Sequence, residues 1–256
     1  MIHLAAEALH VSLGSRAVLR GIDFIGEGGE FICILGPNGA GKSTLLRALA
    51  GFFPQASIHI DGVALSRMKP RERARKIAWL PQNGEAVWPL PVHAVVALGR
   101  IPHGVTLDSL TPRDLDAIAR ALNACDLDAL AERDVTSLSG GERARALAAR
   151  ALAVEAPLLL ADEPVSALDP QHQLTLMTAL QNRARAGDLV IAVLHDLPLA
   201  ARFASRIVLM KEGQIVAQGT PDAVLTPKLL RHVFSVDVMS FAQDGTRIVV
   251  PWTAQA

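Results

Sequence analysis

Short apolar runs, several of them β-branched, alternate along this chain with segments of helical periodicity. The runs are residues 31–35, 77–80, 158–161, 189–194 and 207–210. Such runs between helical patterns predict an α/β domain with buried, mostly parallel strands. After Gly141 the pattern is helical, with Ala144, Leu147, Ala148, Ala151 and Leu152 recurring at i, i+3, i+4, i+7 and i+8. Between about residues 89 and 135 no comparable strand run occurs, and Thr111 followed by Pro112 and Asp114 opens a helix. The expectation is a single domain over 1–256, with an α/β core from 1–82 and 151–256 and a helical insert at 83–150. Lys211-Glu212-Gly213 is expected to turn one hairpin near the C-terminus and Asp244-Gly245 another.

Composition narrows the class. Of 256 residues half are hydrophobic and a fifth charged, with a mean hydropathy of +0.30, which excludes a disordered tail protein. The 25 basic and 25 acidic residues cancel, so nothing predicts an electrostatic grip on nucleic acid or anionic lipid. Two cysteines, Cys33 and Cys125, make no disulfide scaffold and fit a reducing compartment. No stretch reaches the roughly 18 apolar residues that span a bilayer. The opening MIHLAAEALH lacks the layout of a signal peptide. A cytosolic protein that meets a membrane only through a partner is expected. The basic cluster Arg71, Arg73, Arg75 and Lys76 reads as a solvated helix face, because Glu72 sits inside it.

Residues 36–44 read Gly36-Pro37-Asn38-Gly39-Ala40-Gly41-Lys42-Ser43-Thr44, which matches G-x-x-x-x-G-K-[ST]. FICIL before it is a buried strand and TLLRALAG after it a helix, the context this loop needs. Glycines let the backbone wrap phosphate, and the helix N-terminus adds partial positive charge. Lys42 is expected to reach the β- and γ-phosphates and Ser43 to ligate Mg²⁺. The run at 158–161 ends in Asp162-Glu163. Ligands gather at the carboxyl ends of parallel strands. Asp162 is therefore expected to hold Mg²⁺ through water, and Glu163 to polarise an attacking water. His195 closes the strand LVIAVLH at the same edge.

Leu138-Ser139-Gly140-Gly141-Glu142 supplies a second candidate anion site. Ser139 is a good N-cap, and Gly140 and Gly141 leave N–H groups bare at the start of the helix that follows. Together with the loop at 36–43, Gln82, Asp162-Glu163, Ser166-Ala167-Leu168-Asp169 and His195, in that order, this string resembles the ATP-binding subunit of an ABC transporter over nearly the whole chain.

The resemblance implies a P-loop NTPase core with a mostly parallel sheet, an antiparallel β subdomain and a helical subdomain carrying residues 138–142. It implies a homodimer packed head to tail around two ATP molecules. Each site takes Lys42 from one chain and Ser139 and Gly141, with Gly140 and Glu142 in the same string, from the other. Asp169 lies at the dimer seam. Gln82 contacts Mg²⁺ or the attacking water at the hinge to the helical subdomain, and His195 contacts the γ-phosphate. The implied partners are two integral-membrane permease subunits and, indirectly, a periplasmic substrate-binding protein. The implied place is the cytoplasmic face of the bacterial inner membrane. Such subunits usually stack an aromatic ring on adenine. Here the position is Leu13 and the chain has no tyrosine, so Leu13 and Val18 are left to offer apolar contact. Ala144 stands where the family often has Gln.

Residues 96–103 (VALGRIPH), His195-Asp196-Leu197, Ala200-Ala201-Arg202 and Val224-Leu225-Thr226-Pro227 resemble the ATPases of importers for iron chelates, haem and cobalamin. Haem or a ferric siderophore is the expected cargo. The eight histidines form no ligand cluster in the sequence. Two other readings stand beside this one. A soluble, poreless ABC-type ATPase would usually carry two ATPase units or a long coiled coil. A small-molecule kinase would leave residues 138–142 and 166–169 without a role.

Overall fold

The computed structural model describes residues 1–82, 84, 89–243 and 246–254. Strands β1 (His3–Leu13) and β2 (Arg16–Glu27) form a hairpin, and β3 (Phe31–Leu35) runs into helix α1 (Lys42–Leu49). β4 (Ile58–Ile60), β5 (Val63–Ala64), α2 (Pro70–Lys76) and β6 (Ile77–Leu80) follow. Helices α3 (Val92–Ala97), α4 (Pro112–Ala124) and α5 (Gly140–Ala153) then precede β7 (Leu158–Asp162), with no named strand among the described residues between β6 and β7. The chain continues through α6 (Pro170–Arg185), β8 (Leu189–Val193), α7 (Leu197–Phe203), β9 (Arg206–Lys211) and β10 (Gln214–Gly219). It ends with α8 (Pro221–Val224), α9 (Pro227–Phe234) and a ribbon of β11 (Val236–Gln243) and β12 (Thr246–Ala254).

The predicted apolar runs all lie in one six-stranded sheet of order β10-β9-β3-β8-β7-β6. Every pair in it is parallel except β9–β10, the hairpin turned at residues 211–213. Side chains alternate between its faces. Phe31, Cys33, Leu35, Leu159, Ala161, Val190 and Ala192 enter one core with the helices. Ile32, Ile34, Leu158, Leu160, Ile191 and Val208 enter another, shared with α1 and the antiparallel sheet β2-β1-β4-β5. Burial on both faces is why these strands carry no polar alternation. The turn expected at Asp244-Gly245 lies outside the described residues, although β11 and β12 on either side of it pair antiparallel.

The insert is held by buried polar contacts as well as apolar ones. Gly99 sits so close to α5 that a Cβ there would lie 2.4 Å from the Arg150 carbonyl oxygen. Arg100 is 2% exposed and donates to Asp114 Oδ1 at 2.8 Å, the Ala153 carbonyl at 2.8 Å and Glu155 Oε2 at 3.0 Å. Thr111 and Asp114 form a reciprocal cap at the start of α4, with Pro112 at its first position. The basic cluster on α2 lies on a helix with no buried residue, as a solvated face does, and its side chains are tied to neighbours as well. Arg75 donates to the Pro102 and His103 carbonyls at 2.7 and 3.1 Å, Arg71 to Pro102 at 3.2 Å and Arg73 to Gly51 at 3.4 Å, while Lys76 pairs with Asp61. The reason is local: the 3-10 turn Leu98–His103 ends in carbonyls that need donors, and the guanidiniums supply them. Among the described residues, no helix is long and apolar enough to cross a membrane.

Candidate functional site

The loop after β3 has the geometry of an anion cradle. Gly41 takes the left-handed conformation (φ 95°, ψ 9°) at the N-cap of α1, and no side chain caps the helix. The first-turn N–H groups are thus left to an outside acceptor. Gly36 passes so close to β9 that a Cβ would lie 2.3 Å from the Met210 carbonyl oxygen. Lys42 is 6% exposed, and its ammonium donates back to the Gly36 and Pro37 carbonyls at 2.7 and 3.1 Å. Burial lowers its pKa, and the Glu163 and Asp162 carboxylates oppose that shift. The β9–β10 turn braces the loop: Gly213 N–H donates to the Ala40 carbonyl at 3.0 Å, and Arg20 N–H to the Gly213 carbonyl at 3.0 Å.

Two acids face this loop from the end of β7. Ser43 Oγ donates to Asp162 Oδ1 at 2.9 Å. Asp162 is 1% exposed, and its Oδ2 is buried without a hydrogen-bond partner among the described residues. Desolvation is the main cause raising its pKa. A hydroxyl beside a buried carboxylate with a spare oxygen fits Mg²⁺, which uses one or two protein oxygens and completes its shell with phosphate and water.

Glu163 follows with a left-handed backbone (φ 51°), an uncommon conformation for a non-glycine residue. Its Oε2 accepts the Gln82 amide at 2.8 Å, and its Oε1 lies 2.6 Å from His195 Nε2. Lys42, Gln82, Asp162, Glu163 and His195 thus gather beyond the carboxyl ends of the parallel strands β3, β6, β7 and β8.

A cavity of about 620 Å³ opens over the loop, lined by residues 38–44, Glu163, Leu13 and Val18. It is also lined by Arg16, Ala17, Arg20 and Glu212, which the sequence reading did not single out. Counting by twos along β2 from Val18 reaches Arg16 and Arg20. Ala17 is brought in by a register shift, since Ser12 pairs with Ala17 but Val11 with Leu19.

The 138–142 string does not line this cavity. Ser139 caps α5 by accepting from Glu142 N–H at 3.3 Å, and Glu142 Oε2 accepts Ser139 N–H at 2.8 Å. A Cβ on Gly140 would meet nothing within 4 Å, whereas one on Gly141 would lie 3.3 Å from the Ala167 carbonyl oxygen. Gly140 borders a second cavity of about 500 Å³, together with Gln82, Glu163, Ser166 and Ala167. Asp169 is the N-cap of α6, accepting His172 N–H at 3.0 Å.

The buried lysine, the uncapped helix and the Asp-Glu pair at the end of β7 define a P-loop nucleotide-binding protein. The family model described as ABC transporter matches residues 19–166. The hemin import ATP-binding protein HmuV of Streptomyces coelicolor is 43% identical over 251 residues, which cover 96% of this chain and 89% of that one. A structure described as a metal-chelate type ABC transporter in an inward-facing conformation superposes with a TM-score of 0.81 at 27% identity, covering 99% of this chain and 98% of that one. A dimeric bacterial ABC transporter cassette gives a TM-score of 0.73 at 27% identity, covering 86% of this chain and 99% of that one. The chain belongs to the ABC transporter family, as one of its ATP-binding, ATP-hydrolysing subunits.

Proposed function

We propose that this subunit powers the import of haem, or of a closely related iron chelate, by closing and opening as a homodimer beneath two membrane permeases. The carrying observation is the division of the site. One chain gathers Lys42, Ser43, Asp162, Glu163 and His195 but leaves Ser139, Gly140 and Gly141 out of the cavity over the phosphate loop. Gly140 borders instead the second cavity, which Glu163 also lines, and has open space beside its Cα among the described residues. A second copy would supply the missing anion-gripping surface. The cargo reading is supported by the hemin import relatives and by the string at 96–103.

In this reading the 36–44 loop binds the triphosphate through its backbone N–H groups, and Lys42 neutralises the β- and γ-phosphates. Mg²⁺, held by the Ser43 hydroxyl and through water by Asp162 and Gln82, would neutralise charge on those same phosphates when bound. Glu163 holds the attacking water, while Gln82 and His195 fix its carboxylate and His195 faces the γ-phosphate. Ser139 and Gly141 of the second chain grip the same phosphate, with Asp169 at the seam. Its loss removes the bridge and the dimer opens. Residues 83–150 act as the subdomain that receives the permeases at the cytoplasmic face of the inner membrane. A periplasmic binding protein delivers the cargo from the other side.

The test is size-exclusion chromatography of Glu163→Gln with Mg-ATP, which should run as a dimer and revert to monomer when Lys42→Ala is added. In the host, Lys42→Ala should abolish growth on haemin as sole iron source. Growth on haemin at the parent rate would refute the cargo reading.

A further inference from the structure

Among the described residues, those that line the nucleotide cavity include no aromatic side chain, and the chain has no tyrosine. A bound base would need another flat surface. The phosphate end of the cavity is fixed by residues 38–44. Val18 stands against that end, because a Cβ on Gly41 would lie 3.2 Å from the Val18 carbonyl oxygen. Arg16 is two residues further out along β2, about 7 Å away at the usual strand rise. It sits at the tip of the β1–β2 hairpin, directly paired across the Gly14-Ser15 turn with Leu13. Leu13 is 52% exposed for a large apolar residue, and both residues line the cavity. The Arg16 guanidinium has no hydrogen-bond or ion-pair partner among the described residues. A guanidinium is planar and weakly hydrated, and it stacks on aromatic faces. An ammonium has the charge without the plane.

We propose that Arg16 is the base-binding residue of this pocket: its guanidinium plane covers the nucleobase, with Leu13 beside it as the apolar contact. This rests on the reading of the cavity as a nucleotide site. The charge of Arg16 serves the base and leaves the phosphates to Lys42 and the loop. Its position at an exposed hairpin tip makes the residue replaceable without disturbing either core.

The experiment measures binding of a ribose-labelled ADP to the full-length chain, and its displacement by unlabelled ADP and by inorganic pyrophosphate. ADP avoids turnover and the bridged dimer. Arg16→Ala should weaken ADP about tenfold, within the range of cation–π contacts, and leave displacement by pyrophosphate unchanged. Arg16→Lys should behave like Arg16→Ala, and Arg16→Tyr should restore the parent affinity for ADP. Equal weakening of ADP and pyrophosphate, with rescue by Arg16→Lys, would make Arg16 a phosphate contact and overturn the proposal. Unchanged ADP affinity in Arg16→Ala would overturn it too. If the parent chain bound no ADP, or Lys42→Ala bound it equally well, the nucleotide reading itself would fall, and that result is distinct from the others.

Discussion

Glu163 Oε1 lies 2.6 Å from His195 Nε2, while Glu163 Oε2 accepts the Gln82 amide at 2.8 Å. Both carboxylate oxygens are therefore held by residues that follow neighbouring strands. The carboxylate is aimed by its own backbone as well, which is left-handed at φ 51° and tied by its N–H to the Val193 carbonyl at 3.2 Å. A group fixed at this many points is suited to positioning a water molecule.

His195→Ala should accordingly lower ATP turnover by about 10²- to 10⁴-fold, the usual worth of a positioned acid–base group. Nucleotide affinity should change little, since Lys42 and the loop remain. Phosphate release and ADP binding, measured on the same preparation, separate the two effects. A histidine that only closed a strand would lower both together or neither.

Ser43 and Asp162 make a second testable pair. The buried Oδ2 of Asp162 has no partner among the described residues and its pKa is raised by desolvation, so the site favours a cation there. Asp162→Asn should keep binding to metal-free ADP and lose most of the gain in affinity that Mg²⁺ brings. Titration of ADP with and without Mg²⁺ reads this directly.

The stability of the helical insert should depend on acid through Asp114. The Thr111 hydroxyl, with Arg100 as a further cause, lowers this carboxyl from an ordinary 3.8 to about 2. A depressed folded-state value stabilises the fold above the ordinary value, and that stabilisation is lost as pH falls through the folded one. Melting temperature should therefore fall between about pH 4 and pH 2 by an amount that Asp114→Asn removes. Arg100→Ala should cost about 3–5 kcal/mol in urea unfolding at neutral pH, because it leaves a buried carboxylate unpaired.

The parallel strands were legible because burial on both faces writes itself as an unbroken apolar run. The β1–β2 hairpin was not, and the reason is visible in its register. Ala8 is left-handed (φ 44°), and the pairing shifts between Ala6 and Leu9, so Leu4, Ala6, Leu9 and Val11 are buried without a constant period of two. The same kind of shift near Val18 hides Ala17 from a search by alternation. Motif residues on the phosphate loop and at the ends of β6, β7 and β8 were legible because their chemistry needs particular side chains. The tie between α2 and the turn Leu98–His103 was not, because carbonyl acceptors leave no mark on side-chain identity.

Gly140 separates a helix cap from an intermolecular site. As a cap, α5 is already complete: the Ser139 side chain and the Glu142 carboxylate satisfy each other's backbone N–H groups. A Cβ at Gly140 meets nothing within 4 Å among the described residues, and Gly140 is the first helical residue. Gly140→Ala should therefore leave the isolated subunit as stable as the parent or more stable by about 0.4–1 kcal/mol, through lost freedom of the unfolded chain. If a second copy's triphosphate approaches this backbone, the added methyl group should obstruct it. In the Glu163→Gln background, Gly140→Ala should then fail to form the ATP-dependent dimer, while its affinity for ADP stays at the parent value. Urea unfolding, ADP titration and size-exclusion chromatography with Mg-ATP give the three readouts. A full-strength ATP dimer in the double variant would leave Gly140 with no intermolecular role.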